Sequence, residues 1–128
     1  EEVMGIPGKC FFCNSGAEAN EGLIKLARRF CVQRPRADGT PRHEILTFTG
    51  SFHGRTMATM TATAQEKIHG GFGPLVPEFH EVADTASLEA LFERAGASIA
   101  AVFVEPVRGA GGVHPVPDEF LRRARELS

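Results

Sequence analysis

The stretch that decides the fold is Lys9-Cys10-Phe11-Phe12-Cys13-Asn14-Ser15-Gly16-Ala17-Glu18. Its first half is a short apolar run, which predicts a buried strand over residues 9–13. Its second half carries an S-x-x-E capping box, which predicts a helix that begins beside Ser15. A tight turn joins the two halves, so the stretch predicts a strand, a turn and a helix in succession.

The rest of the chain continues this alternation of strands and helices. Apolar positions as far as Phe30 extend the first helix, and the Pro, Gly and Asp residues of the segment 34–41 predict an exposed loop. Residues 70–79, with several glycines and prolines, are also predicted to form a loop. Further strands are predicted over residues 43–49 and 99–104, and further helices over 54–64, 87–95 with Ser87 as N-cap, and 117–127.

This order of elements predicts the fold class. Strands that alternate with helices indicate an α/β fold with an open, mostly parallel sheet. The run Ile99-Ala100-Ala101-Val102-Phe103-Val104 has no polar position, which predicts a strand covered on both faces.

Length and composition exclude several classes of protein. A chain of 128 residues, 42% hydrophobic and 23% charged with a net charge of −2, is typical of one globular domain and has no basic field to attract nucleic acid or anionic lipid. No apolar run approaches the roughly 20 residues of a membrane span. The first residues have no signal-peptide pattern, so a cytoplasmic location is expected.

The chain lacks an initiator methionine and ends at Ser128 inside a helical pattern, so we expect an internal piece of a longer protein.

The cysteines predict neither disulfides nor a metal site. Cys10, Cys13 and Cys31 form an odd set, which argues against a disulfide framework. Cys10 and Cys13 have the C-x-x-C spacing of redox and zinc sites, but two phenylalanines separate them and no second Cys/His pair follows. The preferred interpretation is that both are small apolar residues of a buried strand.

The first candidate site follows the first predicted strand. In open α/β sheets, ligands bind at the carboxyl ends of the strands. Asn14-Ser15-Gly16-Ala17 stands there and opens a helix, whose free backbone N–H groups and positive dipole end can hold a phosphate, and Gly16 permits close approach. The sequence is neither a Walker A motif nor G-x-G-x-x-G. An ordinary capped helix is the alternative interpretation.

The second candidate site follows the strand predicted over residues 43–49. Phe52 can stack on a planar ring, and Arg55 can bind a carboxylate through a bidentate fork, with His53 between them. Taken singly, each residue has a simpler interpretation: Phe52 in the core, His53 at the surface or bonded to a loop, and Arg55 as a solvated charge.

The third candidate is Glu105, at the end of the strand predicted over residues 99–104. A carboxylate at this edge must meet water or find a cationic partner. The glycine-rich segment 108–112 that follows is predicted to be a flexible loop able to bend over a ligand, or a plain turn.

These motifs, each after a predicted strand and in this order, resemble the class III, fold-type-I pyridoxal-phosphate aminotransferases. The resemblance extends from about Lys9 to Leu127, and residues 61–67 and 71–75 are most similar to the acetylornithine branch of the family. It implies that residues 1–128 are part of the large, cofactor-binding domain, whose sheet is mostly parallel.

The resemblance also implies a role for each candidate that would contact the cofactor. Gly16 and Ala17, in the turn that Ser15 opens, would donate backbone N–H groups to pyridoxal 5'-phosphate. Phe52 would lie against the pyridine ring, and His53 would flank it.

A second set of implied roles concerns the substrates and partners. Arg55 would bind the substrate α-carboxylate, and Glu105 would line the substrate site. The family reaction transfers an amino group from N-acetylornithine to 2-oxoglutarate, giving N-acetylglutamate semialdehyde and glutamate. Members of the family form homodimers.

The family's two remaining functional residues are expected beyond Ser128. These are the imine-forming lysine and the aspartate that pairs with the pyridinium nitrogen, so no catalytic residue is assigned on this chain. Lys9, Lys25 and Lys67 do not match the context of the family lysine. The chain alone is therefore expected to be inactive.

Ala110 leaves more than one substrate open, because the acetylornithine and ornithine branches carry a second glutamate at this position. Arg108 likewise replaces a common glutamine. Ornithine, 4-aminobutyrate and ω-amino acid:pyruvate aminotransferases therefore stay open, as does a non-catalytic α/β module that binds a phosphate ligand at Ser15, Gly16 and Ala17.

Overall fold

The computed structural model describes residues 8–110 and 112–128 of the chain. Among these, no helix combines the length and apolarity needed to cross a bilayer. The elements, in chain order, are α1 (Gly16–Gln33), β1 (Glu44–Phe48), α2 (Met57–Ala62), α3 (Glu66–His69), β2 (Phe79–Val82), α4 (Thr85–Ala95), β3 (Ile99–Phe103), β4 (Val107–Arg108), β5 (His114–Pro115) and α5 (Asp118–Leu127).

The predicted α/β fold with a parallel sheet is confirmed. The main sheet has the order β2-β1-β3, and both strand pairs are parallel. Leu46, in the middle strand, lies opposite His80 on one side and Val102 on the other. The short strands β4 and β5 form a separate antiparallel pair. Because β1 and β3 run in the same direction, the segments that follow them emerge at the same edge of the sheet.

A buried apolar cluster lies between the sheet and helices α4 and α5. Phe48 and Phe120 meet edge to face, with ring centroids 4.6 Å apart. Leu46 and Leu88 are fully buried in the same cluster. Burial of this apolar surface stabilises the packing of the two helices on β1 and β2.

The strand predicted over residues 9–13 is wrong. This segment has no regular structure, and Phe11 and Phe12 are 85% and 91% exposed. Cys10 and Cys13 are exposed as well. A strand is stable only when its backbone pairs with a neighbour, and no described strand pairs with this segment. The apolar composition of the segment is therefore not enough to make it a strand.

The first helix is confirmed, and only part of its apolar surface is buried. Ile24 and Cys31 are buried, whereas Leu23, Leu26 and Phe30 remain 47% to 63% exposed. Helix α1 packs against β3 and α2, and this packing leaves much of its apolar surface uncovered.

Three further predictions are corrected. The strand β2 begins at Phe79, where only a loop was predicted. The N-cap of α4 is Asp84, and Ser87 is its capping-box partner three residues later. Strand β3 is not covered on both faces: Ile99 is buried, but residues 100–103 are only partly so, because β3 is an edge of the described sheet.

The helix predicted over residues 54–64 is shorter than expected. It begins at Met57, because Thr56 and Thr59 form a capping box and the preceding residues belong to a turn. The last helix begins at Asp118 after Pro117, close to its predicted start.

Candidate functional site

The first turn of α1 presents two backbone N–H groups that are free to bind a ligand. Oγ of Ser15 accepts a hydrogen bond from the Glu18 N–H at 3.2 Å, and the Ser15 carbonyl accepts one from the Ala19 N–H at 3.1 Å. Within the described residues, the N–H groups of Gly16 and Ala17 donate to no protein acceptor. A Cβ atom added to Gly16 would meet nothing within 4 Å. The free N–H groups, the helix dipole and the open space are the features that a bound anion requires.

The turn that follows β1 is fixed against α1 and the end of α2. Oγ1 of Thr63 accepts hydrogen bonds from the backbone N–H groups of His53 at 2.9 Å and Gly54 at 3.3 Å. Nδ2 of Asn20, in α1, donates to the His53 carbonyl at 2.8 Å. A side chain of α1 and the residue that caps the end of α2 thus hold the backbone of this turn in one conformation.

Gly54 allows the turn to approach the start of α1. Its φ is 139°, a conformation that favours glycine. A Cβ atom at this position would lie 2.5 Å from Oγ1 of Thr59 and 2.9 Å from Cβ of Ala17. Any side chain would therefore force α1 and the turn apart.

A cavity of about 400 Å³ lies where the helix start and the turn meet. Its size falls within the range of roughly 300–1,000 Å³ found for small-molecule sites. Ser15 does not line it but caps the helix that does. The lysines Lys9, Lys25 and Lys67 are exposed and do not line it either. The lining residues are Gly16, Ala17, Asn20, Phe52, His53, Gly54 and Arg55.

Two of the lining side chains remain available to a ligand. Phe52 is half-buried and Arg55 is exposed. In the part of the chain that the structure describes, Arg55 forms no ion pair. Its guanidinium can therefore bind an incoming carboxylate without losing a protein partner.

Glu105 lies beneath the turn and does not line the cavity. Its Oε2 accepts a hydrogen bond from the Phe52 N–H at 2.9 Å, and its Oε1 accepts one from the Gly109 N–H at 3.2 Å. Water or a cationic partner was expected for this carboxylate, but two backbone N–H groups satisfy it. Glu105 thus joins the segments that follow β1 and β3.

His53 is buried, which excludes a surface histidine. It is 6% exposed, its ring centroid lies 6.0 Å from that of Phe103, and its Nε2 has no partner among the described residues. Burial lowers the pKa of His53, and the negative charge of Glu105 partly opposes this shift. The imidazole is therefore neutral at neutral pH.

The loop predicted over residues 108–112 is held at its base. Nη1 of Arg108 donates to the Thr49 carbonyl at 3.0 Å, and the guanidinium lies 5.2 Å from the centroid of the Phe48 ring. Residues on either side of the loop pair as β4 and β5. Gly111 lies outside the described residues.

Sequence reasoning assigned no role to Asn20 and Thr63, which brace the turn from outside the motifs. Asn20 stands one helical turn after Gly16, and this spacing is a signal that it faces the same cavity. Thr63 belongs to a run of Thr, Met and Ala residues, in which nothing distinguishes it.

A comparison with known families identifies the chain. The model of the family described as aminotransferase class-III matches residues 2–128. The chain belongs to the class-III aminotransferases. An acetylornithine aminotransferase from Caldanaerobacter subterraneus subsp. tengcongensis is 45% identical over 120 residues, which are 94% of this chain and 30% of that protein. This class-III aminotransferase chain thus spans about 30% of the length of that relative.

Solved structures of aminotransferases share the fold. A transaminase from a marine Virgibacillus superposes with a TM-score of 0.80 at 32% identity, over 91% of this chain and 28% of that one. An ornithine aminotransferase from Toxoplasma gondii, described with partial occupancy of PLP at its active site, gives 0.74 at 31% identity, over 90% and 27%. The parallel sheet of this class-III aminotransferase chain is consistent with the large domain of fold-type-I enzymes, and pyridoxal phosphate is the cofactor that the family supports.

Proposed function

We propose that this chain is part of the cofactor-binding domain of an aminotransferase that transfers an amino group from N-acetylornithine to 2-oxoglutarate. The products are N-acetylglutamate semialdehyde and glutamate. One observation carries the proposal: the free N–H groups of Gly16 and Ala17, the Phe52 ring and the Arg55 guanidinium surround the same cavity. A phosphate, a planar ring and a carboxylate are the three groups that these residues suit.

The helix start fits the phosphate of pyridoxal phosphate. The free N–H groups of Gly16 and Ala17 lie at the amino end of α1, where the helix dipole favours negative charge. No protein atom occupies the space in front of Gly16, and a glycine leaves that space to the ligand. The phosphate would therefore be held by backbone atoms, with no need for a cationic side chain.

Phe52 and His53 would orient the ring of the cofactor. When bound, pyridoxal phosphate supplies an electron sink at the amino-bearing carbon of the substrate. The half-buried Phe52 would keep one face of the ring free of water. A neutral His53 adds no positive charge beside the ring.

Arg55 would place the amino donor. A guanidinium binds a carboxylate through two parallel hydrogen bonds, which fixes the orientation as well as the position of the substrate. An exposed Arg55 at the rim can bind the α-carboxylate of the donor while the amino group points into the cavity.

The covalent step requires residues that this chain does not place in the cavity. None of the three lysines lines it. We propose that the reactive lysine and the aspartate for the pyridinium nitrogen lie beyond Ser128, and that the chain alone does not transfer an amino group. A homodimer and a cytoplasmic location belong to the same proposal.

The test uses the longer protein that contains this chain. In Arg55→Gln, we expect the KM for N-acetylornithine to rise by about 10-fold or more, because both hydrogen bonds of the fork are lost. Arg36→Gln, in an exposed loop, is the matched control and should leave KM unchanged. An unchanged KM in Arg55→Gln would contradict the role of Arg55. Binding of a nucleotide without any amino transfer would favour a non-catalytic module instead.

Ala110 favours a second candidate, an ω-amino acid:pyruvate aminotransferase. Ala110 is exposed and offers no carboxylate to pair with an arginine near the acceptor site. Initial rates with 2-oxoglutarate and with pyruvate as acceptors separate the two candidates. Preference for 2-oxoglutarate supports the main proposal, and a strong preference for pyruvate supports the alternative. The same assay with ornithine and 4-aminobutyrate as donors tests the remaining branches.

A further inference from the structure

A cluster of histidine and glutamate side chains lies at the amino ends of β1 and β2, the edge of the sheet opposite the cavity. Nε2 of His43 is 3.2 Å from Oε2 of Glu78, and Nε2 of His80 is 2.8 Å from Oε2 of Glu44. One ligand atom each from His43, Glu44 and Glu78 lie within 4.8 Å of one another. The proposed transamination uses none of these residues.

We propose that His43, Glu44 and Glu78 bind a zinc ion, with His80 orienting the Glu44 carboxylate. Imidazole nitrogen and carboxylate oxygen are both zinc ligands, and three protein ligands leave a fourth position for water. Zinc–ligand distances of about 2.0–2.2 Å place tetrahedral ligands roughly 3.3–3.6 Å apart. The three ligand atoms lie within 4.8 Å of one another, so their side chains would rotate to reach that spacing around the ion.

The backbone that carries the three ligands is already fixed. The Ser98 carbonyl accepts hydrogen bonds from the N–H groups of His43 at 2.9 Å and Glu44 at 3.0 Å. The Ile45 N–H donates to the carbonyl of Glu78 at 2.9 Å. A site on a rigid backbone loses little conformational entropy when it binds an ion.

The backbone of Glu78 has an unusual conformation that sets the direction of its side chain. Its φ is 73°, and among the described residues it is the only one other than glycine with a positive φ. Such a conformation is unfavourable for a residue with a side chain, and it persists where the surroundings impose it. In this conformation the Glu78 carboxylate reaches His43.

The charges of the cluster also suit a dication. Glu44 begins β1 and Glu78 immediately precedes β2, and their carboxylate oxygens lie close enough to repel each other. A divalent cation between them would offset both charges. Nε of Arg28 donates to the His43 carbonyl at 3.0 Å, and the guanidinium lies 5.8 Å from the centroid of the Phe79 ring. Arg28 forms no ion pair with a described carboxylate, so it does not neutralise Glu44 or Glu78.

An ion can reach the cluster from solvent. The side chains of His43 and Glu78 are 41% and 42% exposed, and that of Glu44 is 15% exposed. Two of the three ligands are at the surface and one is largely buried. The site is therefore shallow, and zinc can bind without any opening of the fold.

The experiment is a calorimetric titration of zinc chloride into the purified protein. Cys10 and Cys13 are first replaced by serine, because exposed thiols are zinc ligands themselves. We expect one equivalent of zinc to bind. Loss of a residue that only orients a metal ligand weakens binding by roughly 10- to 100-fold. His80→Ala should therefore weaken zinc binding by about 10-fold. His43→Ala and Glu78→Gln remove direct ligands and should each weaken it by at least that range.

Two controls and one rescue variant complete the test. His114→Ala and Glu81→Gln change exposed residues outside the cluster and should leave the affinity unchanged. Glu78→Gly relieves the backbone conformation and so folds at least as well, yet it must still lose zinc binding. The proposal is overturned if the cysteine-free protein binds no zinc, or if the single variants bind it as tightly as their parent.

Discussion

Phe52 and Glu105 are joined by a hydrogen bond of 2.9 Å from the backbone N–H of the first to the carboxylate of the second. The other oxygen of the same carboxylate accepts the N–H of Gly109 at 3.2 Å. One side chain therefore fixes the aromatic turn after β1 and the loop after β3. Its effect on the cavity is to hold Phe52 in place.

Replacing Glu105 by glutamine is expected to destabilise the protein. An amide has one carbonyl oxygen for two N–H donors, so one donor loses its acceptor and faces an NH₂ group. We expect the free energy of unfolding to fall by about 1–3 kcal/mol, measured by urea denaturation. Glu81→Gln, at an exposed position of β2, is the control and should change it by less than about 0.5 kcal/mol. Equal effects of the two substitutions would show that Glu105 does not hold the turn.

Gly54→Ala tests the close approach of α1 to the turn. Its Cβ atom would lie 2.5 Å from Oγ1 of Thr59, at a φ of 139°. Gly71→Ala is a matched control, because Gly71 has a φ of 83° but nothing within 4 Å of an added Cβ. The control should lose about 1–2 kcal/mol from its backbone conformation alone, and Gly54→Ala should lose clearly more. If both variants unfold at the same urea concentration, the packing has no energetic role.

The sequence predicted β1, β3 and the helices α1, α2, α4 and α5, and it predicted that the segments after β1 and β3 meet at one edge of the sheet. It did so because parallel strands bring the segments after their carboxyl ends together, whatever the details of each element. Asp84 and Ser87 were harder to tell apart, because both residue types cap helices and only the hydrogen bonds show which one does.

Two errors have a common physical cause, which is that strand formation depends on neighbours. The apolar segment 9–13 has the composition of a strand but pairs with no described strand. The segment Phe79–Val82 is half polar and follows a loop rich in proline and glycine, yet it pairs with β1 over its whole length. The contact between Glu105 and Phe52 could not be predicted from the sequence either, because the two residues are 53 positions apart and no local pattern connects them.

The stability of the protein should depend on the protonation of His53. Burial lowers the folded-state pKa of His53 below its ordinary value of 6.5. Below that pH, the unfolded state binds more protons than the folded state, so stability falls until the pH reaches the folded pKa. His53→Leu cannot take up this proton, and its stability should fall less between pH 7 and 5 than that of the parent. Urea midpoints across this range measure both slopes, with His114→Leu as an exposed control. Parallel slopes for His53→Leu and the parent would contradict the assignment.

The central claim, that the start of α1 binds the phosphate of the cofactor, is tested most directly by comparing pyridoxal phosphate with pyridoxal. Gly16→Val fills the space in front of the two free N–H groups, whereas Gly22→Val adds the same side chain to the same helix, also with nothing within 4 Å. In equilibrium titrations, Gly16→Val should weaken binding of pyridoxal phosphate by about 10-fold or more, which corresponds to about 1.4 kcal/mol, and leave pyridoxal binding nearly unchanged. Gly22→Val should match the parent for both ligands. Undiminished binding of pyridoxal phosphate by Gly16→Val, or an equal loss in Gly22→Val, would contradict the account.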